Sequence, residues 1–243
     1  MVFGASTKCE GKEMTSINRL LNCILLALVL QPLQGCSREY SAESIEAWVV
    51  DAETSQPLEG VIVVAHWQLY GGMHPDQLGE LMILETLTDK AGRFHFPAWG
   101  PKSVPAGLAS NARLRHLDPE MLLFKSGYKY QRIANELTSA VLNDAGPSLR
   151  RSQWNGKTIK MEKFGGTQKE YADHLSFLKT SLGFAYNGQD CEWKLIPRML
   201  LAQHNEMLRL EEKKIYNTLQ SVENVSGQKK CGSAQEFFRG YLP

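Results

Sequence analysis

The sequence predicts an α+β protein in which an N-terminal antiparallel β-sandwich precedes a C-terminal helical subdomain. Three observations predict it. From Ile45 onward apolar residues recur with period two, in short runs broken by Gly, Pro and Asp. After Thr167 the period shifts to 3.6. The composition, 43% hydrophobic and 22% charged over 243 residues, is that of a globular chain, which excludes collagen-like repeats, long disorder and a multi-span membrane protein. Lys and Arg number 27 against 26 Asp and Glu. So small an imbalance sets up no field to steer nucleic acid, and no basic block restores one locally.

The first element is a leader. Cys23 to Leu30 is an unbroken apolar run with Arg19 before it and Pro32-Leu33-Gln34-Gly35-Cys36 after it. It is too short to span a bilayer core of about 30 Å and suits the apolar centre of a secretory signal peptide. Leu33-Gln34-Gly35-Cys36 resembles the lipobox of bacterial lipoproteins. That resemblance implies cleavage before Cys36, acylation of its thiol and amino group, and a membrane anchor through lipid. Ser37 stands where an inner-membrane retention signal has Asp, which implies the outer membrane, facing the periplasm, as destination. Residues 1–35 are thus expected to be a signal peptide, and Met14, just before a compact, weakly basic leader, makes a better start than Met1.

Of the five cysteines, Cys9 and Cys23 leave with the leader and Cys36 takes lipid. Cys191 and Cys231 remain, and an exported protein with one leftover pair is expected to form one disulfide. A zinc site is the rival, but neither residue has a His or a second Cys at ligand spacing. Removing residues 1–35 takes three basic residues (Lys8, Lys12, Arg19) and two acidic ones (Glu10, Glu13), leaving 24 of each sign. The expected mature body is neutral.

Residues 36–44 read as a short tether, and residues 45–165 as the sandwich. Ile45 to Val50 is a strand, Asp51 to Pro57 a turn, and Gly60 to Trp67 a β-branched strand. Leu81 to Thr88 and Arg93 to Phe96 form a hairpin about Asp89-Lys90-Ala91-Gly92. Met121 to Lys125, Tyr128 to Ile133 and Lys157 to Met161 read as further strands. Leu69 to Leu78 reads as an insertion, and Gly100 to Pro119, with three prolines, as a long loop. Val50-Asp51, Thr54, Pro57-Leu58-Glu59-Gly60-Val61, Thr88-Asp89 and Gly92-Arg93-Phe94 with Phe96 resemble the carboxypeptidase regulatory-like domain. The resemblance covers about residues 45–100 and implies a transthyretin-like, prealbumin-like sandwich. Such domains usually accompany an activity instead of supplying one.

Residues 167–243 are expected to be helical. Tyr171, Leu175, Leu178 and Leu182 share one helix face. Gly183 to Asp190 breaks that helix, and a second runs from Pro197 to about Val222, with Leu201, Leu208, Ile215, Leu219 and Val222 on its apolar side. Cys191 and Cys231 flank it. A last short helix ends at Arg239-Gly240-Tyr241.

No catalytic constellation is legible. The histidines His66, His74, His95, His116, His174 and His204 fall without ligand spacing, and no nucleophile elbow or phosphate-binding glycine pattern is present. No cofactor and no metal are expected. Trp67, Tyr70, Trp99 and Trp154 lie at strand ends or in predicted loops, where flat rings can stack on a sugar or grip a peptide, or plug the ends of the sandwich. Phe238-Arg239-Gly240-Tyr241 partly resembles the Tyr-Arg-Gly-Ser tail of the transthyretin-like 5-hydroxyisourate hydrolases, departing at both outer positions. The leading expectation is a non-catalytic cell-envelope lipoprotein, a structural or interaction module with an envelope protein partner. The alternatives are a carbohydrate- or peptide-binding lipoprotein using those aromatics and, less favoured, a transthyretin-like hydrolase.

Overall fold

The computed structural model describes residues 38–73, 76–136, 148–188, 190–225 and 229–241. Residues 1–35, expected to be a signal peptide, and Cys36 and His74 lie outside them. Strand β3 (Ile62–Gly71) is the spine of the main sheet. It pairs antiparallel with β4 (Asp76–Leu87), β7 (Arg113–Leu114) and β8 (Glu120–Phe124), and β8 pairs with β9 (Gln131–Ile133). Two three-stranded sheets complete the β structure. One is β10 (Leu149–Arg150), β1 (Glu39–Ala42) and β6 (Trp99–Ser103); the other is β11 (Thr158–Met161), β2 (Ile45–Asp51) and β5 (Arg93–Phe96).

The class is α+β, and the β part is sandwich-like. Val63, Ala65, Trp67 and Leu69 of β3 share one buried cluster with Tyr40, Ala47, Val49, Phe94, Phe96 and Ile159 of the small sheets. Alternation then sends Val64 to the opposite face. There, with Ile83, Leu122 and Phe124, it packs against Leu175, Leu178, Trp193, Met199 and Leu200 of the helical region. Helices therefore cover the outer face of the main sheet, and β3 is buried on both sides.

Several elements differ from their expectation. The sandwich is mixed, since β10 runs parallel to β1 and β11 parallel to β2. The expected tether contains β1, because Tyr40 and Ala42 are buried and the Tyr40 hydroxyl accepts from the Leu114 amide at 3.3 Å. No insertion separates β3 from β4. The hairpin pairs from Ile62↔Leu87 to Gly71↔Asp76, and register shifts at Trp67/Gln68 and Leu69/Tyr70 leave Leu81 and Leu78 of β4 as the extra residues. The proline-rich loop supplies β6 and β7.

Helix α1 (Gln168–Ser181) opens on a capping box between Thr167 and Glu170 and buries Tyr171, Leu175 and Leu178 as predicted. A short α2 (Gly183–Asn187) follows at once. Helix α3 (Pro197–Glu212) stops ten residues short of Val222, where Lys214 takes a left-handed φ of 58°. Its buried face is Met199, Leu200, Gln203, Met207 and Leu210, while Leu208 is exposed. No side chain within α3 caps its N-terminus; Glu85 of β4 does so, accepting from Arg198 N at 3.1 Å and Met199 N at 2.8 Å. Burial raises the Glu85 pKa against those two donors, and the partial positive charge of the helix start favours the carboxylate. A last helix, α4 (Ala234–Phe238), seats Phe238 beside Trp193.

Cys191 and Cys231 form a disulfide with Cα atoms 5.4 Å apart. It joins the chain leaving α2 to the chain entering α4, a sequence separation of 40. Closing a loop of that size removes denatured-state entropy worth about 4 kcal/mol. Replacing both cysteines by Ala is expected to lower unfolding stability by about 2–4 kcal/mol, measured by urea titration against the oxidised wild type.

Candidate functional site

The helix-facing side of β3 begins apolar at Val64 and then turns polar at His66, Gln68 and Tyr70. Each strand beside it contributes a carboxylate at that level: Glu120 of β8 stands opposite His66, and Glu80 of β4 stands opposite Gln68 through the register shift. His66 is fully buried. Its Nδ1 lies 3.2 Å from Glu80 Oε2, and its Nε2 lies 3.4 Å from Glu120 Oε1, an ion-pair separation without hydrogen-bond geometry. Phe184 of α2 stacks on the imidazole with centroids 4.5 Å apart.

Further donors complete the cluster. Glu80 Oε1 accepts from Gln68 Nε2 at 3.1 Å and Gln77 Nε2 at 2.9 Å, and the Tyr70 hydroxyl donates to Gln68 Oε1 at 2.7 Å. Arg132 Nε reaches Glu120 Oε1 at 2.6 Å. The Arg115 guanidinium lies 4.5 Å over the Tyr70 ring. Asp118, also buried, accepts from Gln68 N at 3.3 Å and Arg115 N at 2.7 Å.

Burial opposes charge on His66, but Glu120 and Glu80 outweigh it and raise its pKa to about 9. Burial likewise opposes the Glu120 carboxylate, and His66 and Arg132 pull it down to about 2. For Asp118 burial wins over its two amide donors and lifts the carboxyl to about 7. The imidazolium is thus a strut with one carboxylate on each side, and both of its ring nitrogens face carboxylate oxygen.

The predicted aromatic residues divide. Tyr70 joins this cluster. Trp67 faces the sandwich core at 1% exposure and meets Trp99 edge-on at 5.1 Å, so no face of Trp67 is open to a solute. Trp154 lies apart from them, packed against the sandwich core, its Nε1 donating to Ala134 O at 3.0 Å. Arg239 follows α4, a helix, and its amide donates to Gln235 O.

Of the residues that carry the regulatory-like resemblance, Leu58, Val61, Phe94 and Phe96 lie in the sandwich core, and Asp51, Thr88 and Gly92 shape its turns. Asp51 accepts from Glu53 N, Thr54 N and the Thr54 hydroxyl, and Tyr128 donates to its other oxygen, which together hold its pKa far below the usual carboxylate range. Thr88 accepts from Val61 N and donates to Leu58 O. Gly92 has a φ of 70°, and a Cβ there would collide with the Val49 carbonyl.

Beyond Glu80 and Phe184 the cluster borders a cleft of about 660 Å³ between the tip of the β3–β4 hairpin and the chain from α2 to Glu192. Sequence reasoning passed over His66 because a lone histidine in an apolar run carries no spacing signal. The one available sign was its i, i+2, i+4 relation to Gln68 and Tyr70, three polar residues on one face of an otherwise apolar strand. Among the described residues, no group of three His, Cys, Asp or Glu side chains is placed to hold a metal ion. Among the same residues, no helix is long and apolar enough to cross a membrane.

No protein-family model matches the sequence, and no curated protein matches it. Partial structural likeness extends to 3-chlorocatechol 1,2-dioxygenase from Rhodococcus opacus 1CP, at 16% identity over 55% of this chain and 63% of that chain, with a TM-score of 0.30. A dioxygenase domain from Streptomyces sp. SirexAA-E, part of a fusion with a carbohydrate-binding protein, gives 13% identity over 52% and 81%, with a TM-score of 0.29. A streptococcal ancillary pilin gives 12% identity over 54% and 31%, with a TM-score of 0.24. The chain spans less than two thirds of the first of these, and likeness at this level assigns no activity.

The pKa directions fix how stability depends on pH. His66 and Asp118 bind protons more tightly folded than unfolded. Their contributions are complete below about pH 6.5 and pH 4 respectively and are lost as pH rises through about 9 and 7. Glu120 acts in the opposite sense, contributing above about pH 4.5 and losing its contribution as pH falls through about 2. Melting temperature is therefore expected to peak at mildly acid pH and to fall between about pH 6.5 and 9. His66→Gln is expected to cost about 3–5 kcal/mol by leaving the buried Glu80 carboxylate without its cation, Glu120 keeping Arg132, and to remove most of the alkaline decline. Scanning calorimetry across pH on both proteins checks this.

Proposed function

We propose that the chain is a non-catalytic, lipid-anchored protein of the cell envelope whose transthyretin-like sandwich serves as a structural or interaction module for an envelope protein partner. The observation that carries this reading is the Cys191–Cys231 disulfide. It uses the two cysteines that remain once a leader is removed and Cys36 is acylated, and such bonds persist in oxidising compartments. The start of the fold supports it further. β1 begins at Glu39, so cleavage before Cys36 leaves every described strand intact. The placement of Asp51, Thr88 and Gly92 in the turns they would form in a regulatory-like domain supports the transthyretin-like reading. For the non-catalytic reading, the support is that His66 is packed between carboxylates beneath Phe184, away from any solute.

Metabolic labelling with a fatty acid in a bacterial host, followed by membrane fractionation, tests the anchor. The wild type is expected to incorporate label and sediment with the outer membrane, and Cys36→Ser to do neither. A wild type without label, or label that persists in Cys36→Ser, overturns the anchor. In-cell crosslinking of the labelled protein is expected to capture discrete envelope proteins, and a chain that crosslinks to nothing overturns the interaction role.

A further inference from the structure

The cleft beside the His66 cluster has an uneven distribution of charge. Glu80, on its floor, is matched by His66 at 3.2 Å, and Asp190, at its rim, by Lys230 at 2.6 Å. Glu192 is different. It lines the same cleft and is 6% exposed; its Oε2 accepts from Asp190 N at 2.9 Å, and no cation pairs with it among the described residues. A buried carboxylate without a counter-charge is costly, and a cation that reaches it recovers that cost. The fold holds it there. A Cβ on Gly188 would collide with the Glu192 carboxylate and the Phe184 carbonyl, so only a residue without a side chain lets this segment close on Glu192.

We propose that this cleft binds a small organic cation, a molecule carrying an ammonium or guanidinium group on a short apolar stem. The cationic group meets Glu192, and the amides of Gln77 and Asn187 are placed in the same lining to hydrogen-bond it. Leu78, Leu108 and Phe184 offer the apolar surface along which such a stem packs. A volume of about 660 Å³ admits a molecule of that size with room for water. An organic cation fits better than a metal ion, because the carboxylates here do not converge as a ligand set among the described residues.

Isothermal titration of the full chain with agmatine, which carries both cationic groups, tests the proposal, with maltose and calcium chloride as contrasting probes. Agmatine is expected to bind and the other two not. Glu192→Gln is expected to weaken agmatine at least about tenfold, the loss of one charge-assisted bond. Lys230→Met releases Asp190 from its partner and is expected to tighten agmatine about threefold, the scale of one exposed charge, which a purely structural lysine would not do. No agmatine binding, binding indifferent to both substitutions, or equal binding of maltose or calcium overturns the proposal. If Glu192→Gln fails to fold, Lys230→Met alone decides, and no gain in affinity overturns it. The titration does not involve Cys36, so a chain that takes label there and ignores agmatine overturns the cleft alone, and one that binds agmatine without labelling overturns the anchor alone.

Discussion

Strand β3 has no solvent face. One side meets the small sheets and the other meets the helices, so each polar group along it must find its partner within the protein. A strand in this position normally avoids charge altogether. β3 carries His66 and Gln68, and the arrangement around them follows from that choice: a carboxylate on each neighbouring strand, Arg132 to neutralise the second carboxylate, and Phe184 laid over the imidazole. The register shift after Trp67 belongs to the same solution, because it brings Glu80 level with Gln68.

The helices depend on the sheet for more than apolar contact. Pro197 begins α3 with no side-chain cap of its own, and Glu85, on the neighbouring strand, satisfies its first amides. The sheet thus presents two acidic anchors to the helices, Glu80 under α2 by way of His66 and Phe184, and Glu85, opposite Val64, at the start of α3. The disulfide ties the chain after α2 to the chain before α4, next to the cleft-lining residues Asp190, Glu192 and Lys230.

Much of this was legible in the sequence. The strands β2, β3, β4 and β5 were legible because each buries several side chains. The hairpin expected of β4 and β5 does not form, however, β4 pairing with β3 and β5 with β2. Helix α1 showed its face because Tyr171, Leu175 and Leu178 are all buried. β1 was hidden because only Tyr40 and Ala42 of its four residues carry the signal. β6 and β7 were hidden by prolines and by their length, since two to five residues establish no period. The end of α3 was misjudged because Leu219 and Val222 are buried, though by an irregular segment and not a helix. Sequence singled out Tyr70 of the polar cluster and missed His66, Glu80 and Glu120. His66 and Glu120 are 54 residues apart in sequence, and only strand pairing brings the three together.

Helix α2 closes over His66 through a single ring, and the imidazole beneath has no exposed surface. Its N–H protons can exchange with water only when α2 lifts from the sheet or the sheet itself opens. The ring is therefore a reporter built into the layer boundary. The lifetime of its proton signals in a magnetic resonance spectrum measures how often the helical cover separates from the strands, at one atom and with no label added.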